Sequence, residues 1–189
     1  DDLVLLLKGD VVIDGDLNDQ WIDDCLKGLT WTGRLFGVLI DGNLTVRGDI
    51  VDDPAVNVYV LKDLSCDFIF SKNGGITVKG DARAKYGVYG EYNDGLLIVF
   101  GKLFTPYIID QDHCMPQEAA CNHIYFIAQD RAEKEGVFID CGDSSEDARE
   151  ETHLLLDPLV WNEDAEFSID QFVKLVKSGE NPFKYIKDK

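Results

Sequence analysis

Basic residues are scarce in this chain: 18 lysines and arginines stand against 36 aspartates and glutamates, a formal net charge of −18. That balance argues against nucleic acids and anionic lipid surfaces as partners, because both carry the same sign of charge. Long apolar runs are absent; none approaches the ~18 residues that a membrane-spanning helix needs. The short run Leu3 to Leu7 follows acidic rather than basic residues and has no small-residue cleavage site, so it does not read as a signal peptide. Cysteine is sparse and irregular, with five residues at positions 25, 66, 114, 121 and 141. An odd count without repeating spacing excludes a secreted disulfide scaffold and fits reduced thiols. No glycine-rich phosphate loop opens a helix, so a nucleotide fingerprint is missing as well. The expectation is a soluble, cytoplasmic chain without a cofactor.

What the chain does contain is enough apolar material for a core. Apolar residues make up 45% and aromatics 11%, too much for a disordered chain. The acid is unevenly placed. Residues 1–56 hold 12 acids and 4 bases, and residues 57–110 hold 6 of each. Residues 111–170 hold 16 acids and 3 bases, whereas the last 19 residues hold 2 acids and 5 bases. Acid concentrated in one region favours an interaction surface over generic solubility, and a basic protein would be steered toward it.

The main organising signal is a strand bounded by glycines. It recurs as Gly9–Gly15, Gly42–Gly48, Gly74–Gly80 and Gly95–Gly101, with a weaker copy at Gly136–Gly142. The second and fourth residues after the first glycine are apolar in the first four copies: Val11 and Ile13, Leu44 and Val46, Ile76 and Val78, Leu97 and Val99. Period-two alternation means a strand with one buried face. Asp16, Asp49 and Asp81 follow the second glycine and are placed to accept turn hydrogen bonds. The first three copies start 33 and 32 residues apart, the spacing of stacked repeats. Further strands are expected at 35–40, 56–61, 66–70 and 86–92, recurring roughly every ten residues.

Two segments break this rhythm. Residues 19–29 place Trp21, Ile22, Cys25, Leu26 and Leu29 on one helical face. Near the end, Ser168 and Gln171 form a capping box, and Phe167 and Phe172 are spaced as a hydrophobic staple. Ile169, Phe172, Val173 and Val176 continue with helical spacing, and Gly179 and Pro182 supply the stop. A helix is therefore predicted over 169–178, packed on the end of the stack to cover an exposed strand edge. The fold class is mainly β: a single-stranded parallel β-helix (β-solenoid) with a short inserted helix and a C-terminal capping helix. The solenoid domain is placed at 1–165 and the capping helix and tail at 166–189. A β-sandwich, with antiparallel strands, is the rival fold.

Candidate chemistry is thin. Asp110, Asp112, His113, Cys114, Cys121 and His123 are zinc-compatible ligand types, but their spacing matches no standard finger or ribbon, so no metal is expected. His113 and Cys114 are adjacent in sequence, which points their side chains apart in a strand and leaves no nucleophile pair. Tyr86, Tyr89, Tyr92, Phe100 and Tyr107 suggest an aromatic cleft for carbohydrate, against the commoner use of such residues in packing. The run 143–151 is strongly acidic. With Glu163, Asp164 and Glu166 it forms the candidate epitope for a basic partner: Asp143, Glu146, Asp147, Glu150, Glu151, Glu163, Asp164 and Glu166.

The segments NVYVLKDL (57–64), ITVKGDARAKYGVYGEYNDGLLIVFG (76–101) and IIDQDH (108–113) resemble bacterial β-solenoid proteins of the polymer-forming-cytoskeletal type. More closely, they resemble the solenoid immunity proteins that accompany secreted polymorphic toxins. The resemblance spans residues 38–183 and is carried by strand ends and turns. It implies a cytoplasmic, non-enzymatic inhibitor that neutralises a cognate toxin by covering a basic active-site surface, as a monomer or small oligomer. The alternatives are a self-assembling, bactofilin-like structural protein and a carbohydrate-active β-helix enzyme. Long insertions between the first repeats and the charged C-terminal region depart from the filament formers.

Overall fold

The computed structural model describes residues 2–30, 33–52, 56–91, 95–111, 125–127, 138–139, 157–161 and 167–182. The chain winds as a β-solenoid in which every pairing between named strands is parallel. That excludes the antiparallel sandwich. The first coil runs through β1 (Asp2–Lys8) and β2 (Val11–Ile13) and then the inserted helix α1 (Asp19–Leu26). The second uses β3 (Arg34–Asp41), β4 (Leu44–Val46) and β5 (Ile50–Val51). β6 (Asn57–Val60) and β7 (Leu64–Ser71) form the next coil, and β8 (Gly75–Val78) and β9 (Ala82–Glu91) the one after. β10 (Leu96–Val99), β11 (Leu103–Phe104) and β12 (Tyr107–Gln111) follow, with β13 (Tyr125–Ile127) and β14 (Phe138–Ile139) extending the second sheet.

The first sheet has the order β1-β3-β6-β8-β10. The second has the order β14-β13-β12-β9-β7-β4-β2 and bends part-way along its strands. In β7 and β9 the register shifts between Cys66 and Phe68, so the front half of β7 pairs with β4 and its back half with β5. Such a bulge turns the strand direction. Each coil therefore presents three faces. The interior is built from in-register columns: Val38, Val58, Ile76 and Leu97 on the first face, and Leu44, Leu64, Ala82 and Leu103 on the second. Ile50, Ile69, Val88 and Ile108 form the third. All twelve are buried, and each large aliphatic side chain among them contributes about 1.5–3 kcal/mol on leaving water.

The coil period corrects one sequence reading. Equivalent positions lie 20, 18 and 21 residues apart through most of the stack, and 33 apart only where α1 is inserted. The 32-residue spacing between the second and third glycine-bounded copies is not a coil. β2 and β4 belong to the second sheet, whereas β8 and β10 belong to the first. The motif recurs on both sheets because the corners at either end of a short strand favour the same residue. At the corner leading into β11, a Cβ on Gly101 would sit 2.5 Å from the Gly80 carbonyl oxygen of the coil below, closer than any side chain tolerates.

The expected C-terminal helix exists as α2 (Ile169–Lys177), with Ser168 accepting from the Gln171 N–H at 3.4 Å and the Phe167 and Phe172 rings 5.8 Å apart. Its position differs from the expectation. α2 lies along the outside of the third face and not over a coil end. Phe172, Leu175 and Val176 pack with Phe68, Tyr89 and Ile109, which are buried on the outward side of successive coils. The physical reason is that aromatic residues on that outer side offer more apolar area than a strand edge does. A 3₁₀ turn at Pro158–Val160 completes this cover, contributing Val160. In α1, Ile22 reaches the solenoid core with Trp21 and Leu26 packed against it, while Cys25 is exposed; the helix ends at Leu26, before the exposed Leu29.

Candidate functional site

The eight acids singled out from sequence, Asp143, Glu146, Asp147, Glu150, Glu151, Glu163, Asp164 and Glu166, all lie outside the described residues. So do Asp112, His113, Cys114, Cys121 and His123, while Asp110 falls on β12. Among the described residues, the aromatic set is divided between two sides of the coil. Tyr86, Tyr89 and Tyr107 belong to the cluster beneath α2. Phe100 follows β10 on the opposite side of the coil, with the Lys79 ammonium 3.6 Å from its ring centroid, and Tyr92 is outside the described residues. Tyr89 is buried in that cluster, and Tyr86 and Tyr107 are half-buried. Among the described residues, no group of three His, Cys, Asp or Glu side chains could hold a metal ion, and no helix is long and apolar enough to cross a membrane.

Stacking brings other acids together. At the corner between the first and second faces, residues 10, 43, 63, 81 and 102 succeed one another coil by coil. The Asn43 N–H donates to Asp10 Oδ1 at 2.9 Å, and Asp63 N–H donates to Asn43 Oδ1 at 3.1 Å. Asp81 N–H donates to Asp63 Oδ1 at 2.8 Å, and Lys102 N–H donates to Asp81 Oδ1 at 2.9 Å. Each side chain thus satisfies a backbone donor of the next coil that the corner leaves outside the sheet ladder. Of the aspartates expected to accept turn hydrogen bonds, Asp81 belongs to this column, and its bond joins coils and does not close a turn. The Asn43 N–H and side-chain amide hold the Asp10 carboxyl below its ordinary value.

A second column rises at the next corner. Asp49 N–H donates to Asp16 Oδ1 at 2.8 Å, and Asp67 follows one coil on, its N–H bonded to the Gly48 carbonyl. Asp49 is half-buried. Burial pushes its carboxyl up, Asp16 and Asp67 push the same way, and Lys177 of α2 opposes them. Nearby, Arg47 pairs with Asp14 at 2.7 Å. A third corner is made by the buried Asp52, which accepts from the Lys72 N–H and from Ser71 Oγ.

The cysteines within the described residues carry no reactive signature. Cys66 sits in the core, where burial pushes its thiol up. Cys25 is raised by desolvation and by Asp24. A nucleophilic cysteine needs the opposite shift.

Comparison with protein-family models, curated proteins and solved structures finds no match. Sequence reasoning had marked Asp16, Asp49 and Asp81 individually, yet missed Asp10 and Asp63 and the columns they form. The available signal was an Asp or Asn just before a strand on the second sheet, at positions 10, 43, 63 and 81.

Proposed function

We propose that this chain is a non-catalytic protein-binding module for a basic protein. The specific form of this reading is neutralisation, in the cytoplasm, of a cognate secreted toxin whose basic active-site surface is covered. The observation that carries the proposal is the pair of aspartate columns. Successive coils lie about 4.8 Å apart; Asp10, Asp63 and Asp81, with Asn43 between the first two, stand at fixed levels along one corner, and Asp16 and Asp67 flank the Lys177-paired Asp49 along the next. One oxygen of each ladder aspartate is committed to the neighbouring coil. The carboxylates are thereby preorganised, and a lysine- or arginine-rich partner orders no further acidic side chains on docking. A chain of net charge −18 adds long-range attraction that speeds encounter. The family resemblance of the strand ends and turns supplies the toxin as partner.

The test is co-production with the toxin encoded beside its gene. The expected result is protection of growth and a tight complex whose association slows as salt rises. The double variant Asp63→Asn and Asp81→Asn retains acceptor oxygens for the ladder and removes two charges. It is expected to slow association several-fold at unchanged melting temperature. No protection and no complex with that toxin would end this reading.

A further inference from the structure

The outer side of the first sheet has a different character from the rest of this acidic molecule. Its five strands carry two acids and two bases, Asp2, Lys8, Arg34 and Asp41, and no other charge. Across coils, one outward row reads Leu6, Leu39, Tyr59, Thr77 and Ile98. Among the described residues, nine large hydrophobic side chains are exposed. Six lie on these strands or immediately after them: Val4, Leu6, Phe36, Leu61, Ile98 and Phe100. Exposed apolar side chains gathered on one face in this way mark a contact surface.

The charges on its margins specify the occupant. Asp2 lies opposite Arg34 at one end of the paired strands β1 and β3, and Lys8 lies opposite Asp41 at the other. All four are exposed, and none is in an ion pair among the described residues. A twofold axis parallel to the coil stack, placed between two such faces, reverses strand direction and keeps each coil at its own level. It sets Asp2 of one copy against Lys8 of the other, and Arg34 against Asp41. Both pairings are attractive, and each occurs twice. A twofold axis along the strands would instead bring the first coil against β10, which carries no charge. We infer that this face binds a second copy of the chain, giving a closed, isologous dimer with the first sheets packed face to face. Two sheets packed in this way interdigitate at about 10 Å separation, and the pair leaves no free copy of the patch for further growth. The low charge of the face, two acids and two bases on the strands with Lys79 following β8, allows this despite the net charge, most of which lies elsewhere.

The proposal is independent of the partner-binding reading and is tested on the full chain alone, by sedimentation equilibrium over a range of micromolar concentrations. The wild type is expected to be a dimer. Ile98→Glu, at a side chain already exposed, is expected to weaken self-association at least tenfold with the melting temperature retained. Lys8→Asp is expected to weaken it similarly, and the full exchange variant Asp2→Lys, Lys8→Asp, Arg34→Asp and Asp41→Lys, which keeps both the cross-strand and the intersubunit pairs attractive, to restore it. A monomeric wild type overturns the inference. So does a dimer indifferent to Ile98→Glu, an exchange variant that remains monomeric, or a mass that keeps rising with concentration, as end-to-end stacking of coils would give.

Discussion

Lys177, in the last turn of α2, places its ammonium 2.6 Å from both carboxylate oxygens of Asp49, 128 residues earlier in the chain. The contact fastens the C-terminal helix to the second coil, while Phe172 meets Tyr107 of a later coil edge-on at 5.4 Å. α2 therefore runs across several coils and ties them together. The Asp49 carboxyl is held above its ordinary 3.8, first by burial and then by Asp16 and Asp67, despite Lys177.

From this the two partners are expected to respond unequally to substitution. A raised folded-state pKa means that the folded chain takes up this proton before the unfolded chain does. Its stabilising contribution is fully present below pH 3.8 and is lost as pH rises through the raised folded value. Asp49→Asn removes that loss and is expected to stay within about 1 kcal/mol of wild type at pH 7. Lys177→Met leaves an enclosed carboxylate between two others and is expected to cost about 1–3 kcal/mol. Urea unfolding at pH 4 and pH 7 measures both. The Lys177→Met deficit should be larger at pH 7, and equal costs for the two variants would refute the asymmetry.

Phe172 anchors α2 more strongly than the ion pair does. It is fully buried among Phe68, Tyr89, Tyr107 and Val160. Phe172→Ala is expected to cost about 3–5 kcal/mol. If α2 then leaves the third face, the aromatic cluster becomes accessible and should bind a hydrophobic dye, whereas the interior columns of the coils stay protected from hydrogen exchange.

Much of the architecture was legible because the interior needs only period-two alternation. Val11 and Ile13, Leu44 and Val46, Ile76 and Val78, and Leu97 and Val99 were all readable as inward pairs. Capping chemistry likewise marked Ser168 and Gln171 before the structure did. Which sheet each strand joins was not legible, since Gly42–Gly48 and Gly74–Gly80 follow the same local rule and sit on different sheets. The route of α2 was hidden for a similar reason. Phe68 and Ile69 are adjacent, and alternation alone shows that one points in and one out, not that the outward one is covered. The candidate surfaces were less legible still. The column of Asp10, Asp63 and Asp81 is created by coil stacking, and unequal spacings of 33, 20 and 18 residues conceal it.

Gly87 tests how tightly that outward aromatic is seated. It lies opposite Phe68 across β7 and β9, and a Cβ there would be 2.6 Å from Phe68 Cε2. Its backbone is ordinary extended strand, so the cost of a side chain is steric. Gly87→Ala is expected to displace the Phe68 ring and to destabilise by about 1–3 kcal/mol. Phe68→Leu combined with Gly87→Ala should recover part of this, because the smaller side chain vacates the contested space. A thermal unfolding series over the two single variants and the double variant measures the coupling.

The corner ladder separates shape from charge. Asp63 both donates and accepts in it: its N–H reaches Asn43 Oδ1, and its own Oδ1 accepts from the Asp81 N–H. Asn43 does the same acceptor work without a charge, so the ladder itself needs only a short side-chain oxygen. Asp63→Asn is therefore expected to leave stability near wild type. Asp63→Ala removes the acceptor and leaves the Asp81 N–H to water, at an expected cost of about 0.5–1.5 kcal/mol. The neighbouring Asp10, whose carboxyl is lowered by two Asn43 donors, behaves in the opposite sense to Asp49. Its contribution is present above pH 3.8 and fades as pH falls through the lowered folded value. Carboxyl-carbon NMR titration should find Asp10 ionising below, and Asp49 above, the ordinary aspartate value. Asn43→Ala removes the side-chain amide but keeps the backbone N–H, so it should return Asp10 only part-way toward that value and leave Asp49 unmoved, since the two corners share no hydrogen bond. A common shift of both residues would mean that coil stacking as a whole, and not the individual ladder contacts, sets their acidity.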